Sequence, residues 1–147
     1  MAIPKTAVVQ EALDRLTELV AHVLDVPVVC LSLVNGQHQL LTSSAGLAAP
    51  IALLLSHTFS RHVTASRQPL AVCDGREDPL VANNPAVLDG MVTAFAGAPL
   101  VSADGRPIGT LCAMDYQPRE WTDGHLNLLK ELPAFILRTV ESVATAV

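Results

Sequence analysis

The sequence predicts an α+β fold: an antiparallel sheet with helices grouped toward the two ends of the chain. Three observations carry that expectation. The stretch Thr93–Asp115 (TAFAGAPLVSADGRPIGTLCAMD) reads as a hairpin, with two apolar arms around Ala103-Asp104-Gly105, because Asp-Gly accepts positive φ at low cost. Helical patterns open and close the chain. Strands do not alternate regularly with helices, and no glycine-rich loop follows the first strand, which argues against a doubly wound sheet.

Each element follows from local pattern. From Thr6 to Leu24, Val9, Leu13, Leu16, Val20 and Val23 recur at three- and four-residue steps, one face of a helix. Asp25-Val26-Pro27 ends it, since the residue before proline avoids helix. Val28–Val34 is β-branched and apolar, hence a buried strand. Asn35-Gly36 is a hairpin turn signal, and Gln37–Ser44 returns as a more polar strand nearer a sheet edge. Gly46 and Pro50 close that strand, and Ile51–Leu55 reads as a strand, a buried loop or the start of a helix. Leu55, Phe59 and Val63 lie four apart, which predicts a helix from about Ser56, with Ser56 as N-cap. Leu70–Cys73 reads as a short strand and Ala86–Asp89 as one helical turn. Gly97 and Gly109 interrupt the hairpin arms, as glycine does at a bulge or a close approach. Thr122 is the expected N-cap of the last helix, which runs to about Ser142 with Leu129, Leu132, Ile136 and Val140 as its stripe and a kink at Pro133.

The 147 residues suit one domain, of which half are hydrophobic and 16% charged, a globular composition able to bury a core unaided. A net charge of -5, scattered basic residues and 3% aromatics argue against nucleic-acid binding. No apolar run approaches the about 20 residues of a membrane span, and no signal peptide is visible. Cys30, Cys73 and Cys112 each sit in apolar, strand-like runs. They read as reduced and mostly buried, so the expected location is cytoplasmic.

Several motifs then run together: Phe95-Ala96-Gly97-Ala98-Pro99-Leu100, Ile108-Gly109-Thr110-Leu111-Cys112, Asp115 and Pro118-Arg119. Upstream stand Pro69-Leu70, Asp74, Asp78-Pro79, Asn84-Pro85 and Val87. From about Leu13 to Phe135 the chain resembles a GAF domain, the small-molecule sensor fold related to PAS domains. The subgroup it is similar to often sits in bacterial signalling proteins. One departure stands out. Members commonly read Phe-Cys-x-His in the middle helix, and this chain has Phe59-Ser60-Arg61-His62.

The resemblance implies one domain over residues 1–147, with a sheet of five or six strands. It implies a ligand-sized cavity between one sheet face and the middle helix with its following loop. Candidate lining residues are Phe59, His62, Cys73, Asp74, Phe95, Ala98, Cys112 and Asp115. It also implies a homodimer through the terminal helices on the other face; Leu16, Val20, Leu132 and Ile136 are the candidate seam residues, with packing of the first helix's stripe on its own domain as the plainer alternative. GAF domains bind cyclic nucleotides, haem, bilins, amino acids or nothing known, so no ligand is named.

Each candidate has a plainer alternative. His57 and His62 are five apart, about 140° around a helix, so they do not form a metal pair. His62 suits a cavity lining; the favoured alternative for both is a structural histidine. The cysteines read as buried and inert, since reactivity needs an accessible, low-pKa thiolate. Asp74 and Asp78 suit turn capping, and Asp115 holds the loop before Pro118. Asn83 and Asn84 read a polar ligand or turn the chain. Arg61, Arg67 and Arg76 are the basic groups near the cavity mouth, with solvated surface as the default reading.

The leading expectation is therefore a sensory or regulatory domain, not an enzyme, with output through a signalling partner or a further part of a longer protein. The alternative is a small cysteine-dependent redox enzyme of the free methionine sulfoxide reductase type. A third reading is a ligand-free interaction module whose cavity is filled by Phe59, Phe95 and Met114. No cofactor is assigned: Ser60 stands where bilin attachment wants cysteine, and haem has only His57 or His62 as axial ligand. No metal site, nucleic acid or membrane partner is expected.

Overall fold

The first helix begins under a polar cap: the Thr6 hydroxyl accepts the Val9 N–H at 3.3 Å. This helix, α1, runs Ala7–Leu24 and ends at Asp25, whose φ of 53° is left-handed. These features come from a computed structural model, which describes residues 3–35 and 39–146. The strands β1 (Val28–Val34) and β2 (Leu40–Ala45) pair antiparallel, with Leu33 opposite Leu41. The turn expected at Asn35-Gly36, and Gln37, fall partly outside the described residues.

The middle helix, α2, spans Ala49–Ser66, with Pro50 in its first turn. Proline fits there because that N–H has no helical partner, so Pro50 opens this helix rather than closing the strand before it. Ser56 is accordingly not an N-cap. It lies buried inside α2, where its hydroxyl donates to the Leu53 carbonyl at 3.1 Å. Strand β3 (Leu70–Val72), a 3-10 turn at Gly75–Glu77 and the one-turn α3 (Pro85–Leu88) follow. The hairpin is β4 (Ala94–Val101) and β5 (Pro107–Asp115), with Gly105 at φ 84° in its turn. The last helix, α4, covers Asp123–Thr145 and continues through Pro133. Its cap is reciprocal: Thr122 Oγ1 accepts the His125 N–H, and His125 Nδ1 accepts the Thr122 N–H.

The five strands form one antiparallel sheet in the order β2-β1-β5-β4-β3. The hairpin thus lies at its centre and the more polar β2 at one edge. Alternation along the strands sends residues to two separate cores. On one face Ala94, Ala96, Ala98 and Leu100 meet α1 and α4. On the other, Val28, Cys30, Phe95, Cys112 and Met114 meet α2 and the segment around α3.

Both interrupting glycines sit at close approaches, of different kinds. A Cβ on Gly97 would lie 2.8 Å from the Phe95 ring and 3.2 Å from a Val63 methyl of α2. A Cβ on Gly109 would strike the Ser32 carbonyl oxygen of β1, so that glycine serves strand pairing and not the α2 side.

Candidate functional site

The space between α2 and the sheet is packed with side chains. Phe59 of α2 stacks on Phe95 of β4, with ring centroids 4.5 Å apart and planes at 16°. Offset stacking of this kind adds about 0.5–1.5 kcal/mol to the burial of the rings. Val63, Leu55, Val72, Val87, Cys112 and Met114 complete the packing. Phe59, Phe95 and Cys112 are therefore together, as core.

A depression of about 300 Å³ opens at the rim of this packing. Arg61 and His62 of α2 form one wall; Pro79, Leu80, Asn83, Asn84 and Pro85 form the other. Asn84 is held in place by the first turn of α3: its Oδ1 accepts the Ala86 N–H at 2.9 Å and caps that helix. Asp78 Oδ1 likewise accepts the Leu80 N–H at 2.9 Å. His62 is half-buried, and Arg61 is exposed.

The other sequence candidates lie elsewhere. Ala98 faces the terminal helices, because it is three residues from Phe95 and a strand alternates with period two. Cys73 follows β3 and is exposed; Val72 points inward, so its neighbour points out. Asp74 caps the 3-10 turn, accepting the Arg76 N–H at 3.1 Å and pairing with the Arg76 guanidinium at 2.7 Å. Its hydrogen bond to Arg76 holds the carboxyl below the usual range. Asp115 Oδ1 accepts the Gln117 N–H at 3.1 Å, fixing the loop before Pro118.

The seam residues also need correction. Leu16, Val20 and Ile136 are buried in the chain's own core beneath the sheet, and Leu132 packs partly against it. The apolar stripes face inward because α1 and α4 flank the same sheet face. The large apolar residues left facing out are Val8, Leu19 and Val23 on α1 and Phe135 on α4. A second depression, about 660 Å³, lies on α4 along Leu128, Leu132 and Phe135, between Lys130, Glu131 and Arg138.

Two residues that pattern reasoning left without a role connect these parts. The Arg119 guanidinium donates to the Leu24 carbonyl at 2.5 Å and the Asp25 carbonyl at 2.7 Å, and meets Asp115 at 3.3 Å. The Arg119 backbone N–H donates to the Cys73 carbonyl at 2.9 Å. It also lies over the Trp121 ring, 5.1 Å from its centre. Trp121 Nε1 in turn donates to the Val72 carbonyl at 3.1 Å. The Pro118-Arg119 pair in the sequence was the available signal, but its carbonyl partners are set by tertiary packing.

The thiols divide in the same way as the strands. Cys30 and Cys112 sit directly opposite each other on β1 and β5. Burial, then the neighbouring Cys30, pushes the Cys112 thiol up to about 12. Burial also raises Cys30, against the lowering effect of the Ser56 hydroxyl, 3.6 Å from its sulfur. Among the described residues no group of three or more His, Cys, Asp or Glu is placed to hold a metal ion. Among them, too, no helix is long and apolar enough to cross a membrane.

The GAF domain family model matches residues 9–138. The chain belongs to the GAF domain family. A 113-residue stretch, 74% of this GAF chain, is 26% identical to a cyclic di-GMP phosphodiesterase from Pseudomonas aeruginosa. The match spans 19% of that protein's length. Among solved structures, the GAF domain of an Acinetobacter phosphoenolpyruvate-protein phosphotransferase superposes with a TM-score of 0.71 at 18% identity, covering 98% of this chain and 89% of that one. Free methionine-R-sulfoxide reductase from Neisseria meningitidis, solved with its substrate, gives 0.68 at 18% identity, covering 95% and 81%. At these identities the likeness to solved structures is one of fold.

Proposed function

We propose that this GAF domain is a sensory or regulatory module of bacterial signal transduction. A small molecule is read at the rim depression beside His62, and the terminal helices carry the response to a partner or to a second copy of the chain. The observation that supports this reading is the pair of hydrogen bonds from Arg119 and Trp121 to the end of β3. The segment leaving β3 becomes the wall of the depression. The segment holding Arg119 and Trp121 leads into α4, and the Arg119 guanidinium grips the end of α1. A ligand that favours one arrangement of the wall then biases the helix ends, provided its affinity differs between the two arrangements.

The test perturbs the wall and reads the helices. Asn84→Ala removes the α3 cap. Amide hydrogen exchange is expected to rise at 80–88 and also at 22–26 and 123–127. A rise confined to 80–88 contradicts the relay.

A second reading, a dimerisation module that needs no ligand, is favoured by the Phe59–Phe95 packing that fills the interior. In both readings the dimer forms through the outward faces of α1 and α4. Burial keeps the Cys30 and Cys112 thiols protonated, which counts against the redox-enzyme alternative at those two positions and leaves it the exposed Cys73 alone.

A further inference from the structure

The depression beside α2 combines features that narrow what it takes. Arg61 and His62 are adjacent on α2 and line the same wall. Among the described residues neither has an ion pair or a side-chain hydrogen bond, whereas Arg15, Arg76, Arg106 and Arg119 each meet a carboxylate. Two nearby acids, Asp74 and Asp78, are already engaged. Asp78 accepts the Leu80 backbone N–H, and Asp74 is paired with Arg76. Because Asn84 Oδ1 is taken by the Ala86 N–H, its amide can only donate toward the opening. The polar groups there are thus donors in excess. The remaining lining is Asn83, whose amide can donate or accept, and the apolar Pro79, Leu80 and Pro85, with no N–H to offer at either proline.

We propose that this depression binds a small organic carboxylate with a compact apolar body. Arg61 meets the carboxylate through its planar fork, which matches the two oxygens. His62 and the Asn84 amide donate to the same group. The apolar body lies on Leu80, Pro79 and Pro85. A volume of about 300 Å³ is at the small end of ligand sites, suited to a single ring or a short branched chain. Inorganic phosphate shares the charge but leaves the apolar wall uncovered, so it binds less well. This inference rests on the rim being the ligand site of the sensory module.

The experiment is a titration of the full isotope-labelled chain, followed by backbone NMR. The probes are benzoate, phenylacetate and isovalerate, with benzamide and inorganic phosphate for comparison. At least one carboxylate is expected to saturate below about 10 mM, within the weak range of small ligands, with shifts at 61–62 and 79–85. Benzamide and phosphate are expected to bind at least tenfold more weakly. Arg61→Gln is expected to weaken the carboxylate at least fivefold, with the melting temperature kept because Arg61 is exposed. His62→Gln provides a second, independent loss. The proposal is overturned if no carboxylate saturates, if benzamide or phosphate binds as tightly, or if both variants bind as the natural chain does. Saturable binding with no shift at 22–26 or 123–127 supports the ligand class and contradicts the relay.

Discussion

Arg119 Nη2 donates to the carbonyl oxygen of Leu24 at 2.5 Å, across 95 residues of sequence. Leu24 is the last residue of α1, so the cation sits at the negative end of a helix and on carbonyls that have no helical partner. With the Asp25 carbonyl and Asp115 engaged as well, one guanidinium ties together a helix end, a strand end and the approach to α4. Its Nε–H has no hydrogen-bond partner among the described residues.

Arg119→Ala should therefore cost about 2–3 kcal/mol, since it strips charge-assisted hydrogen bonds from the partly buried Leu24 carbonyl and the exposed Asp25 carbonyl. Arg119→Lys should recover less than half of the loss, because a single ammonium cannot reproduce the fork. Chemical denaturation of the three proteins measures both. Near-equal stability of all three would show that the grip is incidental.

The two hairpin glycines should differ in tolerance. Gly97→Ala meets the Phe95 ring and a Val63 methyl, side chains that can give way, and should cost about 1–3 kcal/mol. Gly109→Ala meets the backbone of Ser32 and Leu33, which cannot shift without opening the β1–β5 pairing. It should cost more than Gly97→Ala. Urea midpoints decide the order.

Adjacent residues on α4 should give opposite results. Ile136 is fully buried and Phe135 is 45% exposed. Ile136→Asp buries an unpaired charge and should unfold the chain. Phe135→Asp should keep the native circular dichroism and shift light scattering from the dimer to the monomer, 15.5 kDa. A natural chain that is already monomeric at tens of micromolar would contradict assembly through this face.

Stability should fall in alkaline solution. The unfolded thiols ionise near pH 9, while the folded Cys112 thiol does so only at about 12. Above pH 9 the unfolded state holds fewer protons, so the slope is negative, about 1.4 kcal/mol per pH unit for such a thiol. The stabilisation is complete below pH 9 and lost toward pH 12. Comparing unfolding at pH 8 and pH 10.5 for the natural chain and Cys112→Val measures it; equal slopes would contradict the burial.

Much of the fold was legible because it depends on local pattern. Asp104-Gly105 marked the hairpin, Thr122 marked the start of α4, and Leu55, Phe59 and Val63 marked the buried face of α2. Pro50 misled because proline both ends strands and opens helices, and the choice depended on the residues beyond it. Ala98 was legible in principle, since period two separates it from Phe95. The seam residues were not: a helical stripe shows which face is buried, never whether the cover is its own sheet or a second chain. The rim depression was half visible. Arg61, His62 and Asn84 each stand out as polar residues in the sequence, but their meeting across α2 and the 79–85 segment is a product of tertiary structure.

The most direct test of the coupling between the depression and the helix ends is a double-mutant cycle on unfolding free energy. It uses Asn84→Ala at the wall and Arg119→Gln at the grip, residues that share no hydrogen bond. Distant, independent sites add within about 0.3–0.5 kcal/mol. A shared relay predicts an interaction energy of about 1 kcal/mol, in the range of coupled elements. Strict additivity would contradict it.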